Sequence, residues 1–354
     1  MKRKTWKYFL FICFIGFIYY FLLSLPSTKS LNNAYQKQSF RAAIVTLTRG
    51  DPIRLLNMLH SIEYFFPQSI DKYPVIIFYD SHDNEIQSST IDYIKSCVKL
   101  RLIFENIVLF TLMRNPIQTI NIIKREIPTI YQRSIGYRFM CQFWSHTVFH
   151  HPLIKNNYDY IMRLDDDSYF LEPFDYDLFE YAYKNKLDYI YRALAWDIPM
   201  SGPDYLLPRY LRTYHNNCKS YCFPFQSYDS IYNNFFLTRV QFWYQKQIEQ
   251  FLNNLLLNDS ILINSLGDGN IHAVILALAS DTNRTHRIHF AYAHNIHIYR
   301  KLNKNFDVQH NYQNWFQILK NNSKNACQQL VIIEPYTKQL KYIHIRQEDE
   351  MDKF

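Results

Sequence analysis

Apolar runs of two different periodicities alternate along the first half of the chain. RAAIVTLTRG, from Arg41, and YPVIIFYD, which ends in Asp80, are short, continuous and β-rich, and predict strands. Between them, DPIRLLNMLHSIEYFF opens with Asp51 as a cap and Pro52 at the first helical position, so it predicts a helix. SSTIDYIKSC is a second predicted helix and IVLFTL a further predicted strand. This alternation predicts an α/β domain with a mostly parallel sheet flanked by helices.

The second half of the chain continues the alternation around one polar interruption. RSIGYRFMCQFWSHTVFHHPLI predicts a long helix, YDYIMRLDDD a strand, YDLFEYAYKNK a helix and LDYIYRALAWD a strand. The stretch from Ile198 to Ser230 is rich in proline, tyrosine and polar residues and predicts loops. Helices are predicted around VQFWYQKQIEQFLNNLL and GDGNIHAVILALA, and RIHFAYAHNIHIY is the last predicted strand. No linker divides residues 41–345, so we predict one domain there, followed by a polar tail over 346–354.

The first 25 residues predict a membrane segment. MKRKTWK is basic, and the uncharged run YFLFICFIGFIYYFLLSL is long enough to span a bilayer as a helix. A cleaved signal peptide is the alternative, but its apolar region is shorter and ends in small residues, whereas this run stays bulky and aromatic. We therefore predict a cytosolic tail over 1–7, a signal anchor over 8–25 and a stem over 26–40, with the rest of the chain lumenal.

Composition agrees with a secretory compartment and argues against nucleic-acid binding. The formal net charge is +8 and four basic residues precede the apolar run, so the remainder carries 8 − 4 = +4, without a basic stripe. Glycosylation sequons begin at three asparagines: Asn258, Asn283 and Asn321. Five cysteines follow the predicted anchor: Cys97, Cys141, Cys218, Cys222 and Cys327. An oxidising lumen permits disulfides among them, and their odd number leaves at least one thiol free.

Three consecutive aspartates, Asp165, Asp166 and Asp167, end the predicted strand YDYIMRL. Ligands of open α/β sheets bind beyond the carboxyl ends of strands, and adjacent carboxylates repel each other unless a cation neutralises them. Alternate residues of an extended segment point the same way, so we predict that Asp165 and Asp167 face one ion while Asp166 faces elsewhere. Carboxylate oxygens suit Mn²⁺ or Mg²⁺, which in turn bind diphosphates, although a solvated acidic turn has the same letters.

Four segments of the chain resemble, in order, the motifs of one enzyme family. IGYRFMCQFWS resembles PYRxMCRFxS, YDYIMRLDDDSYFLEPFDYDLF resembles YxYYWRVEPDVxFxCDxxYDxF, and LGDGNIHAVILAL resembles WGDAPVHxxAxxLF, with RIHF following at a similar distance. The family is glycosyltransferase family 15, the Golgi α-1,2-mannosyltransferases, and the similarity spans Arg41 to Tyr299. It implies a GT-A fold, a type II Golgi membrane protein, Mn²⁺, a GDP-mannose donor, a mannosylated glycan acceptor and retention of anomeric configuration.

The resemblance also implies roles for individual residues. Three residues match Mn²⁺ ligands: Asp165, Asp167 and His272. Three are implied in catalysis: Asp268, Tyr137 and Arg163. Four are implied in donor binding: Arg49, Asp80, Arg138 and Asp167. The residue types alone leave other roles open, because a histidine or aspartate at an element end is often a cap and an arginine there is often a surface charge.

Two positions depart from the family pattern. The family's E-P-D is D-D-D here, so Asp165 reaches less far by one methylene than a glutamate. The family segment HFWSNFEI corresponds to IYNNFFLTRVQFW, in which Phe236 replaces a glutamate that could act as a nucleophile. Phenylalanine cannot form a glycosyl ester. Retention would therefore require front-face attack, and the alternatives are a transferase with another nucleotide-sugar donor or an inactive glycan-binding relative.

Overall fold

The computed structural model describes residues 40–82, 85–125, 133–195, 230–279, 281–295, 297–301, 307–308 and 315–345. Residues from Phe40 onwards belong to one unit. The predicted tail, anchor, most of the stem, the polar C-terminal tail, Cys218 and Cys222 all lie outside the described ranges. No helix within those ranges is both long enough and apolar enough to cross a membrane.

Seven strands form the central sheet. They are β1 Ala42–Thr48, β2 Val75–Asp80, β3 Leu102–Ile107, β4 Tyr160–Leu164, β6 Tyr189–Ala195, β7 Ser230–Arg239 and β8 Thr285–Arg287. Their order is β3-β2-β1-β4-β7-β6-β8, and every neighbouring pair is parallel except the two pairs that involve β7. The predicted mostly parallel α/β sheet is confirmed, and its parallel half brings the carboxyl ends of β1, β2 and β4 to one edge.

A smaller sheet lies where the aspartates leave the central one. It contains β5 Ser168–Phe170, β9 Tyr292–His294, β10 His297–Tyr299 and β11 Asp307–Val308, in the order β11-β10-β9-β5. The single strand predicted for RIHFAYAHNIHIY is thus divided among β8, β9 and β10. A hairpin of β12 Gln329–Ile333 and β13 Leu340–His344 follows later in the chain. In the small sheet Ser168 pairs with His294, so the register brings His294 to the turn that follows β4.

Helices cover both faces of the central sheet, where two apolar clusters form the core. They are α1 Pro52–Phe65, α2 Ser88–Cys97, α3 Pro116–Arg125, α4 Ile135–Gln142, α5 Val148–His150, α6 Pro152–Lys155, α7 Leu178–Lys184, α8 Lys246–Leu257, α9 Ser260–Ile263, α10 Asp268–Ala279 and α11 Trp315–Asn321. A π-helical turn spans Phe143–Thr147. Single 3-10 turns span Pro67–Ser69, Leu109–Leu112, Val240–Tyr244, Thr282–Arg284 and Ser323–Asn325. The Asp51 carboxylate caps α1 as predicted, accepting the backbone N–H groups of Ile53 and Arg54.

Three further elements differ from the predictions. The IVLFTL strand is wrong, because Leu109–Leu112 is a 3-10 turn and the strand that pairs with β2 is the preceding Leu102–Ile107. The long helix predicted after Arg133 is divided by the π-turn and ends at His150, and Pro152 starts a new helix. Strand β7 was not predicted, since two polar asparagines interrupt its apolar pattern. Each difference depends on pairing or packing that a local pattern does not contain.

Candidate functional site

A cavity of about 1100 Å³ lies at the carboxyl ends of β1, β2 and β4. Seven of the residues predicted for the site line it: Arg49, Asp80, Tyr137, Arg163, Asp165, Asp167 and Asp268. The other two, Arg138 and His272, are not among its lining residues. This edge of the sheet is where open α/β folds bind ligands.

The aspartate turn distributes its carboxylates in two directions. The Asp166 carboxylate accepts a hydrogen bond at 2.8 Å from Oγ1 of Thr48, the last residue of β1. The Asp166 residue is 9% exposed. Burial raises the pKa of Asp166 to about 6. Asp165 and Asp167 instead belong to a single group with His294, whose potential ligand atoms all lie within 4.8 Å of one another. The predicted division of the three aspartates agrees with this geometry.

Histidine 294 is held in one orientation between the carboxylates. Its Nδ1 lies 3.0 Å from Asp167 Oδ1 and 3.0 Å from Ser168 Oγ, and its Nε2 lies 3.2 Å from Asn234 Nδ2. Burial lowers the pKa of His294, but the carboxylates of Asp167 and Asp165 outweigh it and raise that pKa. Burial raises the pKa of Asp167, but His294 and Arg54 outweigh it and lower that pKa to about 2. Two carboxylates and one imidazole are a donor set that suits Mn²⁺.

The structure does not place His272 with the aspartates, which corrects the predicted ligand set. The imidazole is fully buried, and its Nε2 donates to the Trp144 carbonyl at 3.0 Å while its Nδ1 accepts from the Tyr189 hydroxyl at 2.8 Å. Burial lowers the pKa of His272 to about 4, so the ring is neutral. Both partners of the His272 ring lie in the core, away from the cavity, whereas His294 lines the cavity and groups with Asp165 and Asp167.

Arg163 bridges Asp268 and Asp165, which forms a group with Asp167 and His294. Its guanidinium binds both oxygens of Asp165, at 2.7 and 3.1 Å, and reaches Asp268 Oδ2 at 2.6 Å through Nη1. The side chain is 2% exposed and lies 4.3 Å from the Trp144 ring. Burial opposes ionisation of Asp268, but the Arg163 charge outweighs it and lowers the pKa of Asp268. The Asp165 and Asp268 carboxylates are thus held by one guanidinium.

An irregularity in β7 directs two asparagines into the site. Between Tyr191 and Ala193 of β6 the partner shifts from Phe236 to Tyr232, so β7 holds two extra residues there. Such a bulge re-aims side chains that a regular strand would alternate. Asn233 Nδ2 donates to Asp268 Oδ2 at 2.9 Å and Asn234 Nδ2 donates to Asp165 Oδ2 at 2.9 Å.

The start of α10 approaches this bulge closely. A Cβ on Gly269 would lie 2.3 Å from the Ile231 carbonyl oxygen and 2.5 Å from Ser230 Oγ. Glycine at this position lets the backbone of α10 sit against β7, which keeps Asp268 within reach of Asn233. Phe236, two residues beyond Asn234, is fully buried and packs near Trp144 and His272.

The remaining predicted residues divide between the cavity and the core. Arg138 is 2% exposed and its guanidinium donates to the Leu262 carbonyl at 2.8 Å, at the end of α9, which makes it a packing residue in this structure. Tyr137 lies one residue earlier on α4 and lines the cavity. Arg49 is exposed beyond β1, and Asp80 accepts the His82 N–H at 3.1 Å.

Sequence reasoning missed four site residues, namely Arg54, Asn233, Asn234 and His294. Asn233 and Asn234 stand in the segment that corresponds to the family's HFWSNFEI, but their direction depends on the bulge. His294 is one of three histidines within the single strand predicted for RIHFAYAHNIHIY, and only the division of that strand puts it at the end of β9. Arg54 is in the first turn of α1, where the helix pattern gave it no special role.

Several proteins of known sequence or structure are similar to this chain. No family model matches the chain. Glycolipid 2-alpha-mannosyltransferase 1 of Candida albicans is 26% identical over 178 residues, which are 46% of this chain and 40% of that protein. The probable mannosyltransferase KTR4 of Saccharomyces cerevisiae is 25% identical over 176 residues, or 44% of this chain and 38% of that protein. The chain spans about two fifths of the length of these curated relatives.

A further curated match, the O-glycoside alpha-1,2-mannosyltransferase omh1 of Schizosaccharomyces pombe, is 22% identical over 173 residues, or 46% of this chain and 44% of that protein. Over less than half of its length, the chain is similar to fungal mannosyltransferases at low identity. This similarity agrees with the family resemblance that the four motifs carry. At these identities, the role of each site residue has to be inferred from the geometry of this structure.

Solved structures show the same fold. The Mn/GDP form of core-mannan synthase A from Aspergillus fumigatus aligns with a TM-score of 0.60 at 19% identity, covering 79% of this chain and 82% of that one. The S. cerevisiae mannosyltransferase Ktr4p in complex with GDP aligns with a TM-score of 0.58 at 20% identity, covering 74% and 72%. The chain therefore has the fold of these mannosyltransferases, the GT-A type that the resemblance implied.

Separate substitutions of His294 and His272 distinguish a metal ligand from a core residue. In His294→Ala we expect Mn²⁺ affinity, measured by electron paramagnetic resonance, to fall at least about tenfold, because one of three ligands is lost. In His272→Gln we expect unchanged Mn²⁺ affinity and a lower free energy of unfolding by about 1–3 kcal/mol, since Tyr189 and Trp144 lose buried hydrogen-bond partners. Weaker Mn²⁺ binding in His272→Gln alone would restore the original assignment.

Proposed function

We propose that the chain is a Mn²⁺-dependent, retaining mannosyltransferase that transfers mannose from GDP-mannose to a mannosyl hydroxyl of a glycan, forming an α-1,2 linkage. The observation that carries this proposal is the group formed by Asp165, Asp167 and His294 beside a large cavity at the strand ends. The relationship to fungal mannosyltransferases, one of them solved with Mn and GDP, supports the choice of metal and donor. A group of acidic residues alone would be compatible with several nucleotide sugars.

The residues of the cluster fit a Mn²⁺ ion. Asp165, Asp167 and His294 would hold it, and neighbouring donors fix the Asp165 carboxylate, namely Arg163 and Asn234. Such outer contacts orient ligands and set their affinity. A bound Mn²⁺ would neutralise negative charge on the diphosphate leaving group.

Asp268 is the residue placed to orient the reacting sugars. Within the described part of the chain, both of its side-chain hydrogen bonds, from Arg163 and Asn233, go to Oδ2. Oδ1 is therefore available to accept a hydrogen bond from a sugar hydroxyl. Because Arg163 lowers the pKa of Asp268, this acceptor stays ionised at neutral pH. Tyr137, on the cavity wall, offers a flat face for a sugar ring.

Retention in this chain does not use a carboxylate at position 236. Phe236 is fully buried, and none of the β7 residues that line the cavity carries a carboxylate; they are Ser230, Ile231, Tyr232, Asn233 and Asn234. A side-chain amide does not replace a carboxylate as the nucleophile that forms a glycosyl ester. Front-face attack fits better: the bond from the anomeric carbon to the diphosphate breaks, the acceptor oxygen bonds to that carbon, and the acceptor proton passes to the departing diphosphate oxygen.

We further propose a Golgi membrane location with the catalytic domain in the lumen, as a single-pass type II protein. The apolar run over 8–25 supports an anchor in the membrane. A disulfide joins Cys97 to Cys327, as an oxidising compartment permits. The three sequon asparagines, Asn258, Asn283 and Asn321, are exposed and accessible to glycosylation.

Turnover of a nucleotide-sugar panel tests the proposed reaction. We expect purified full-length protein, with methyl α-mannoside as acceptor, to consume GDP-mannose in preference to UDP-galactose, UDP-glucose or GDP-fucose. Activity should disappear with EDTA and return with Mn²⁺, and nuclear magnetic resonance should find an α-linked product. Preferential use of another donor would contradict the GDP-mannose assignment and indicate a GT-A transferase with a different donor specificity.

A second candidate, an inactive glycan-binding relative, is favoured by one observation, the phenylalanine at position 236. It predicts that GDP binds with Mn²⁺ while no donor is consumed with any mannoside. Calorimetric binding of GDP and of mannosides, run beside the turnover assay on one preparation, separates the two functions.

A further inference from the structure

Arg54 is a cavity cation to which the family motifs give no role. It lies in the first turn of α1, lines the cavity, and has a side chain that is 29% exposed. Arg163, in contrast, is 2% exposed and is held on two sides by Asp165 and Asp268. We propose that Arg54 binds the phosphate groups of the donor, as a contact that adds to those implied by the motifs. This inference rests on the proposed function.

The contacts of Arg54 place it beside any anion that shares the cation. Its Nη2 lies 2.6 Å from Asp167 Oδ2 and 3.6 Å from Asp166 Oδ1. Asp167 belongs to the group of potential metal ligands, so phosphate oxygens on an ion bound there must come close to the Arg54 guanidinium. Among the described residues, Arg54 makes both ion pairs through Nη2, so its Nε and Nη1 groups can donate to an oxyanion. Guanidinium and phosphate form paired, charge-assisted hydrogen bonds.

Asp166 is the positioning residue for Arg54. Its carboxylate is anchored by Thr48 Oγ1 at 2.8 Å, and the same hydroxyl accepts the Gly50 N–H at 3.1 Å. The Phe316 ring lies 5.9 Å from the guanidinium carbon of Arg54 on another side. Asp166 stands where the family motif has proline, so this carboxylate and its arginine partner form a local arrangement of this chain. A guanidinium that is already fixed loses less freedom when it binds an anion.

Anion affinity and metal affinity, measured separately, test the inference. Full-length wild type, Arg54→Ala, Arg54→Lys and Arg41→Ala would be titrated with inorganic pyrophosphate and with GDP, each with Mn²⁺, by calorimetry. Binding of Mn²⁺ alone would be followed by electron paramagnetic resonance. Arg41 is a matched control, because it is an exposed arginine at the opposite end of β1, paired with Asp159 at 3.8 Å.

We expect Arg54→Ala to bind pyrophosphate and GDP about 10- to 100-fold more weakly, the loss of one charge-assisted contact. Binding of Mn²⁺ alone should stay the same or tighten, since a competing cation next to Asp167 is gone. Arg54→Lys should recover part of the anion affinity, because it restores the charge without the planar fork. Arg41→Ala should match the wild type in all titrations.

Three results would overturn the inference. They are wild-type anion affinity in Arg54→Ala, a loss of affinity for Mn²⁺ alone as large as that for the anions, and no binding of pyrophosphate to the wild type with Mn²⁺. The second result would mean that Arg54 only maintains the shape of the site. If pyrophosphate binding depends on Arg54 while GDP-mannose is not consumed, the phosphate contact stands and the donor assignment fails.

Discussion

Replacement of Arg163 by methionine should lower the free energy of unfolding by about 3–5 kcal/mol and abolish Mn²⁺-dependent GDP binding. The arginine is the shared partner of Asp165 and Asp268, and the Asp268 side chain is only 6% exposed. Without the guanidinium, a buried carboxylate loses its counter-charge and Asp165 loses two hydrogen bonds. Urea denaturation monitored by fluorescence gives the first quantity and calorimetry gives the second.

A double variant separates the loss of charge balance from the loss of volume. Arg163→Met combined with Asp268→Asn removes the unpaired carboxylate, so it should regain more than half of the lost stability while GDP binding stays absent. Arg239→Met is the matched control, because its partner Asp188 keeps a second arginine, Arg284, at 2.8 Å. We expect Arg239→Met to cost about 1 kcal/mol and to bind GDP normally. Equal destabilisation by the two single variants would show that Arg163 has no special place in the site.

Local sequence signals carried the prediction of individual elements and of the aspartate turn. Helix α1 was predictable because the Asp51 cap, Pro52 and the 3.6-residue periodicity all act within one segment. Strand alternation predicted that Asp165 and Asp167 face one way, and the structure groups these two with His294, although Asp166 and Asp167 lie in a turn. Order along the chain and the four motifs then gave the sheet class and the family.

The grouping of His294 with the aspartates could not be derived from such signals. His272 shares a helix with Asp268, but its partners Tyr189 and Trp144 are 83 and 128 residues away in sequence, and they turn the ring into the core. His294 reaches the aspartates through an antiparallel pairing with Ser168, a contact between residues 126 positions apart. Such pairings are set by strand register and by burial, which depend on the whole fold.

The same limit applies to residues whose direction depends on an irregularity. Asn233 and Asn234 are adjacent in β7, and regular alternation would send them to opposite faces. The bulge lets one reach Asp268 and the other Asp165, on the two sides of Arg163. The cysteine pairing was likewise open, because five thiols allow many combinations and the partners are fixed only by the folded chain.

Removal of the Cys97–Cys327 disulfide should lower the free energy of unfolding by about 4–5 kcal/mol. The two residues are 230 positions apart, so the bridge closes a long loop and strongly restricts the unfolded chain. The bridge joins the end of α2 to the segment before β12. In β12, the Val331 carbonyl accepts a hydrogen bond from Asn57 Nδ2 of α1, and the Val331 N–H donates to Asn57 Oδ1. We expect the double variant Cys97→Ala/Cys327→Ala to unfold at a lower denaturant concentration while it keeps Mn²⁺ and GDP affinity, since neither cysteine lines the cavity.

Either single variant serves as the control for the double variant, because one cysteine alone cannot form the bridge. Cys97→Ala and the double variant should therefore unfold at the same denaturant concentration within error, and peptide mapping of the wild type should recover Cys97 joined to Cys327. Cys141 is buried and free, and burial raises the pKa of its thiol, so it should react with an alkylating agent only after unfolding. If the wild type and the double variant were equally stable, the long loop would have to be closed in the unfolded chain by something other than this bond.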